Sequence, residues 1–267
     1  MPHPLDGVWA KLDRARNHFN DLHARVVSLM VPEKDATTAG HQYDPDRQEL
    51  IATLPKATPV DPAFSLIVGD CLHNTRSALD HLVFQLAVLN KAGIAAANKT
   101  SFPVCLKPDE FKGIVKRKVA PFISSAALTE IEKLQPYATG NAGDSDIIWV
   151  LSQLDIIDKH RLLLVTVTKF RPVFFVVTVP TGEQFAHEIS SGDWKPSIDG
   201  AEIMRFDLSA AIKQPGKVNV KIKTANTIQI ENTGMICDGM PIEAVLSDCI
   251  QHTTNIVGTF NKMFFGG

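Results

Sequence analysis

One stretch of thirteen residues, GDCLHNTRSALDH (Gly69 to His81), concentrates side chains that can do acid–base and anion-binding chemistry. It carries two Asp, two His, one Asn, one Arg and one Ser inside an otherwise apolar segment. An imidazole exchanges protons near neutral pH, and a guanidinium binds an oxyanion such as phosphate through two hydrogen bonds. The stretch thus contains the residue types that acid–base chemistry and anion binding require.

The element that positions these side chains is a predicted long helix from Pro62 to about Leu89, with Asp61 as its N-cap. Each helical residue advances about 100°, so the polar side chains share an arc of about 160° and the apolar ones take the opposite arc. We call this polar set the polar stripe: Asp70, His73, Asn74, Arg76, Ser77, Asp80 and His81. Because the same face is apolar at Leu66 and Phe84, we expect the stripe to lie in a sheltered pocket or an interface. The alternative is a buried hydrogen-bond network that fixes the register of packed helices.

The rest of the chain supplies the elements around this helix. Apolar spacing predicts further helices at 6–30, 108–117, 125–134, 145–163 and 241–264, and alternation with β-branched residues predicts strands at 49–54, 164–179, 202–208 and 217–231. The predicted fold class is α+β, a mainly helical bundle of four or more helices with an antiparallel β-rich insertion before the C-terminal helix. The predicted regions are the bundle at 1–163, the insertion at 164–240 and the returning helix at 241–267.

Composition excludes several classes of protein. The formal net charge of −2 over 267 residues gives no whole-molecule attraction to nucleic acid or to membranes, so a polyanion would need a local basic patch. The four cysteines have no C-x-x-C spacing, and the first residues contain no apolar signal region, which predicts a reduced, cytoplasmic protein without a membrane span. Zinc-finger, P-loop and dinucleotide-binding motifs are absent from the sequence.

The stretch from Arg76 to His81 has the form R-x4-H, and it resembles the signature of the HEPN superfamily (higher eukaryotes and prokaryotes nucleotide-binding). That resemblance covers the helical part of the chain. It implies a helical bundle that dimerises, needs no cofactor and cleaves RNA. On this resemblance His81 is the acid or base, Arg76 the phosphate clamp, and Asn74 and Asp80 orient them. Ser77 stands where the family usually has Asn, Asp or His.

Two further features accompany this resemblance. The run Lys159-His160-Arg161 is a local basic patch, and together with Ser77 it is the predicted RNA-binding set. The stretches LHNTRSALDHL and LSQLDIIDKHRLL also resemble recurrent segments of uncharacterised bacterial proteins of similar length. The predicted partners are therefore RNA and a second copy of the chain.

The same residues allow a divalent-metal site instead. Asp70 and His73 stand one helical turn apart, similar to the Glu-x-x-His pairs that hold metals in helical bundles. The predicted fifth helix offers Asp155 and Asp158, again one turn apart. With His81 these residues would make a hydrolase or oxygenase site at which the metal activates water. A third alternative is a non-catalytic binding or regulatory protein, in which the polar stripe only organises the bundle and its partner surface.

Overall fold

The computed structural model describes residues 2–29, 40–44, 46–47, 49–53, 61–140, 145–161, 163–178, 184–187, 202–207, 219–231, 233–235 and 237–266. The chain divides into two compact units. The first unit comprises Met1–His23, Asp61–Val165 and Ile230–Gly267, and the second comprises Ala24–Val60 and Thr166–Gln229. All residues of the polar stripe belong to the first unit.

Seven α-helices are present in the described part of the chain: α1 (Asp6–Leu29), α2 (Pro62–Leu89), α3 (Ile94–Ala97), α4 (Pro108–Lys118), α5 (Ser125–Lys133), α6 (Ile147–His160) and α7 (Ile242–Phe260). A π-helical turn, Asn261–Phe265, continues α7. The six predicted helices are confirmed, with ends within a few residues of those expected, and the short α3 was not predicted. None of these described helices has both the length and the apolar character needed to cross a membrane.

Helices α2, α5 and α6 begin where a side chain satisfies their first backbone N–H groups. The Asp61 carboxylate accepts from the Ala63 N–H, and proline follows at the first position of α2. Ser124 caps α5 through the Ala127 N–H. The buried Asp146 carboxylate accepts from the N–H groups of Ile148 and Trp149 at the start of α6. These local hydrogen bonds explain why the helix starts could be predicted from sequence.

The core of the first unit lies between α1, α2, α6 and α7. Helix α2 packs against both α6 and α7, and α6 packs against α7. Helix α1 joins them through hydrogen bonds that include those from Cys71 Sγ to the Ala15 carbonyl (3.4 Å) and from Arg16 Nη2 to Thr254 Oγ1 (2.9 Å). The apolar arc of α2 is buried in this core: Cys71, Leu72, Ala78, Leu79, Leu82, Val83 and Leu86. Burial of that arc confirms the predicted orientation of the helix.

The strands pair as two three-stranded sheets. One has the order β1 (Gly40–Asp44), β2 (Glu49–Thr53), β5 (Glu202–Asp207), with antiparallel pairing that places Leu50 opposite Phe206. The other has the order β4 (Gln184–His187), β3 (Leu164–Thr178), β6 (Asn219–Glu231), with Phe175 opposite His187.

The unit boundary differs from the predicted one. The prediction grouped residues 40–53 with the bundle, whereas β2 pairs with β5 and both lie in the second unit. Strand pairing joins residues distant in sequence, which a reading of local patterns does not detect.

Candidate functional site

The polar stripe lies on the surface of the first unit. Asp70, His73 and His81 are exposed, and the other four members of the stripe are half-buried. Leu66, on the same face, is 59% exposed. Of the two alternatives predicted for the stripe, a pocket or an interface, the described residues of the single chain do not enclose it in a pocket. An arc of about 160° is too wide to face one neighbour, so the stripe contacts three different parts of the first unit.

The first edge of the stripe contacts the segment that precedes α4, at Phe102. Arg76 Nη1 donates to Asp80 Oδ1 (2.7 Å), and Arg76 Nη2 donates to the carbonyl of Phe102 (2.8 Å). The Phe102 N–H in turn donates to Asp80 Oδ1 (2.8 Å). Both backbone polar groups of Phe102, a fully buried residue, are thus satisfied by side chains of α2. Arg76 is only 13% exposed, so its guanidinium is committed to positioning this segment.

The second edge of the stripe faces α1. Lys11 Nζ donates to Asn74 Oδ1 (3.3 Å), and Asn74 Nδ2 donates to the Asp70 carbonyl (2.8 Å). Burial and the Lys11 ammonium lower the pKa of His81, against an opposing effect of the Asp80 carboxylate. His81 is therefore a neutral imidazole near neutral pH, exposed beside a cation. Lys11 was not predicted as a site residue, since nothing in its own segment marks it.

A second imidazole on α1 belongs to this edge. Burial and the Arg14 guanidinium lower the pKa of His18, while Asp70 and Asp21 act in the opposite direction. His18 and Lys11 are seven residues apart and so share one face of α1. The side of the stripe nearest α1 therefore carries a lysine and an imidazole that the sequence interpretation did not include.

The third edge of the stripe meets α6. His73 Nδ1 lies 3.2 Å from Asp155 Oδ1, and His73 Nε2 lies 3.4 Å from the Ser77 hydroxyl. Lys159 Nζ donates to the other carboxylate oxygen of Asp155 (2.5 Å). Lys159 thus joins the stripe through Asp155, whereas His160 and Arg161 lie exposed at the C-terminal end of α6. The two polar helices α2 and α6 are in contact, as expected from sequence.

Helices α2 and α6 approach closely at Gly69. A Cβ atom at this position would overlap the carboxylate of Asp158, so only glycine leaves room for that side chain. Burial raises the pKa of the Asp158 carboxyl, and the carboxylates of Asp155 and Asp70 raise it further, against the opposing effects of His73 and Lys159. Glycine at position 69 therefore leaves room for the Asp158 carboxyl group, whose charged form is disfavoured in the folded protein.

The five residues of the alternative metal site do not all come together. Within the described residues no group of three or more His, Cys, Asp or Glu side chains is arranged to hold a metal ion. His73 and His81 are eight residues apart on α2, about 12 Å along the helix axis. Asp155, the best-placed carboxylate, is already bonded to His73 and Lys159. Asp70, His73, Asp155 and Asp158 lie near one another where α2 meets α6, whereas His81 lies apart on the α1 side of the stripe.

Arg76 and His81 do not meet within one chain either. They are five residues apart, which separates their directions by about 140° around α2. Arg76 contacts the Phe102 segment, and His81 lies on the side of Lys11. The pairing implied by the R-x4-H resemblance is therefore not formed inside the single subunit.

The four cysteines take no part in this surface. All are free and buried. Burial raises the pKa of Cys71 to about 12 and that of Cys105 to about 11, and it also raises the pKa values of Cys237 and Cys249. Because the thiolate is the reactive form, these side chains are inert core residues at neutral pH.

Comparison with known proteins finds no matching family model and no significantly similar curated protein or solved structure.

The Asp158 carboxyl predicts a specific pH dependence of stability. A carboxyl whose pKa is raised by folding makes the folded state less stable as pH rises from the usual carboxyl pKa through the raised value. We expect Asp158→Asn to be at least as stable as the parent protein at pH 7. We also expect the parent to gain stability relative to the variant as pH falls through the raised pKa. Urea unfolding of both proteins across this pH range measures the difference, and a parent that is more stable at pH 7 would contradict the prediction.

Proposed function

We propose that this protein is a HEPN-like, metal-independent endoribonuclease that acts as a homodimer. The observation that carries the proposal is His81, an exposed imidazole whose pKa is lowered beside the Lys11 ammonium. A neutral imidazole can accept the proton of a ribose 2′-hydroxyl. A neighbouring cation can stabilise the negative charge that develops on the phosphate. The two side chains supply the base and the phosphate-binding cation of this reaction.

The roles within the site follow from the contacts. His81 is the general base, and Lys11, positioned by Asn74, binds the phosphate. Arg76 and Asp80 act as positioning residues, because their hydrogen bonds are made to each other and to Phe102. Ser77, Lys159, His160 and Arg161 remain the proposed contacts with the RNA beyond the reacting phosphate.

Dimerisation completes the proposed site. The polar stripe and Leu66 are accessible in the single chain, so a second subunit can pack against this face. Such a dimer would bring two copies of His81 to one interface, one as the base and the other as the acid that protonates the leaving oxygen. No metal ion is required by this mechanism. We further propose that the segment between 164 and 231 is a β-rich insertion whose strand β5 pairs with β2 outside it, and that the protein works in the cytoplasm.

The test is cleavage of end-labelled single-stranded RNA in EDTA. We expect products ending in a 2′,3′-cyclic phosphate, no cleavage of the matching DNA, and a loss of about 100-fold or more in His81→Ala. His23→Ala is the matched control, because His23 is also an exposed imidazole but pairs with Glu243, away from the stripe. Folding of each variant is checked by circular dichroism. Activity that requires an added divalent ion, or that survives in His81→Ala, would overturn the proposal.

Lys11→Met provides a second readout in the same assay. The Lys11 ammonium lowers the pKa of His81, so its removal should raise that pKa. The low-pH limb of the pH–rate profile, which reports deprotonation of the base, should then move to higher pH, and the reaction should slow. A purely structural role for Lys11 would reduce the amount of folded protein without moving the profile. Native mass spectrometry at assay concentration tests the dimer, and a stable monomer with full activity would exclude it. RNA binding without cleavage in any condition would leave the non-catalytic alternative.

A further inference from the structure

A second set of side chains on the polar stripe has the order of a nucleophile, a base and an orienting carboxylate. Ser77, His73 and Asp155 are linked in that order, with 3.4 Å between Ser77 Oγ and His73 Nε2 and 3.2 Å between His73 Nδ1 and Asp155 Oδ1. Ser77 and His73 are four residues apart on α2, so the helix itself holds them side by side. The sequence analysis did not predict this linkage.

The carboxylate of this set is fixed in place. The Asp155 side chain is only 5% exposed, and its two oxygens are divided between Lys159 and His73. A buried carboxylate beside Nδ1 favours the tautomer that carries its proton on that nitrogen. Nε2 is then the free acceptor, and it faces the Ser77 hydroxyl. In that tautomer the imidazole can take the proton of that hydroxyl.

We propose that Ser77 is a nucleophilic serine that accepts an acyl group from an activated carboxylic ester. In this step Ser77 Oγ bonds to the ester carbonyl carbon while its proton passes to His73 Nε2. The bond from that carbon to the leaving oxygen breaks, and His73 returns the proton to the departing alcohol or phenol. The products are an O-acyl serine and the free alcohol, so no oxidant, metal or further reactant is needed.

The position of Ser77 in the middle of α2 limits hydrolysis of the acyl serine. Backbone N–H groups in the middle of α2 are bonded to carbonyls one turn earlier, so those of Ser77 and Ala78 are not available to stabilise an oxyanion. A phenolate is a good leaving group, and acylation by an aryl ester proceeds without that help. Hydrolysis of the resulting alkyl ester depends on it much more. We therefore expect one rapid acylation per subunit followed by slow turnover.

This site shares Ser77 with the proposed RNA contacts, but its base and its orienting carboxylate differ from the reacting groups proposed for RNA cleavage. It uses His73 and Asp155 on the α6 side of the stripe, whereas the proposed ribonuclease uses His81 and Lys11 on the α1 side. His81→Ala should accordingly leave acylation of Ser77 unchanged. The two proposals can therefore fail independently.

The experiment mixes the full-length protein with p-nitrophenyl acetate and follows both released p-nitrophenol and the mass of the protein. We expect a burst approaching one equivalent, one added acetyl group located on Ser77 by peptide mass spectrometry, and release of that group by mild alkali. A serine-directed fluorophosphonate probe should label the same residue. Ser77→Ala should abolish the burst, and His73→Ala should slow it by about 100-fold.

Two controls decide between this proposal and ordinary surface chemistry. Ser28→Ala removes a different exposed helical serine, one whose hydroxyl donates to a backbone carbonyl, and it should have no effect. Asp155→Asn should slow the burst while Ser77 remains in place. An alkali-stable acetyl group on lysine only, no fluorophosphonate labelling of Ser77, or an unchanged burst in His73→Ala would overturn the proposal.

Discussion

Replacement of Asp80 with alanine is expected to lower the free energy of unfolding of the first unit by about 2–3 kcal/mol. One oxygen of Asp80 accepts both from Arg76 and from the Phe102 N–H, so the substitution leaves two donors without their partner. Arg76 is 13% exposed, and a nearly buried guanidinium without its carboxylate is strongly unfavourable. Urea unfolding followed by the helical circular dichroism signal measures the loss.

The matched control for this prediction is Asp13→Ala. Asp13 also pairs with an arginine on its own helix, Arg16, but both side chains are well exposed. Exposed ion pairs contribute about 0–1 kcal/mol, so this variant should unfold almost as the parent does. Equal stability of Asp80→Ala and Asp13→Ala would show that the Phe102 segment does not depend on α2. Arg76 would then be free to bind phosphate directly.

This first prediction bears on how any loss of activity is interpreted. Arg76→Ala breaks the hydrogen bond to Phe102 as well as the ion pair, so it should reduce stability together with RNA cleavage. His81 makes neither of these contacts, and His81→Ala should reduce cleavage at nearly unchanged stability. The ribonuclease proposal therefore rests on His81 and Lys11, and a loss of activity in Arg76→Ala alone would not support it.

Gly69→Ala is expected to destabilise the first unit by about 1–3 kcal/mol, even though alanine is the better helix former. The added methyl group would occupy the space of the Asp158 carboxylate, which must then move away from its position between α2 and α6. In an Asp158→Ala background this obstacle is gone. There Gly69→Ala should stabilise the protein by up to about 1 kcal/mol through helix propensity.

The reversal of sign is measured by a double-mutant cycle on the four proteins. Gly113→Ala in α4 is the control, because no atom lies within 4 Å of a Cβ built at that glycine and alanine should be favourable there. A destabilisation by Gly69→Ala that persists without the Asp158 carboxylate would place its cause elsewhere. Stabilisation in the parent background would mean that α2 and α6 are farther apart than described.

The amino-acid sequence by itself determined the six longer helices and the direction of each α2 side chain. Three helix starts are defined by hydrogen bonds to backbone N–H groups two or three residues ahead, made by Asp61, Ser124 and Asp146. Such contacts depend only on the local sequence. The apolar spacing of α2 determined which arc is buried, since burial follows the helical period. The polar stripe was therefore identified correctly as one face of one helix.

Only the tertiary structure decided what each member of the stripe contacts. The neighbours come from segments distant in sequence, and each contacts a different edge of the stripe: Lys11, Phe102 and Asp155. For this reason the three side chains have different neighbours, although the sequence placed them on one face of α2. Arg76 donates to the Phe102 carbonyl, His81 lies near the Lys11 ammonium, and His73 bonds the Asp155 carboxylate. Helical periodicity gives the direction in which a side chain leaves the axis. The neighbour it meets depends on how the whole unit packs.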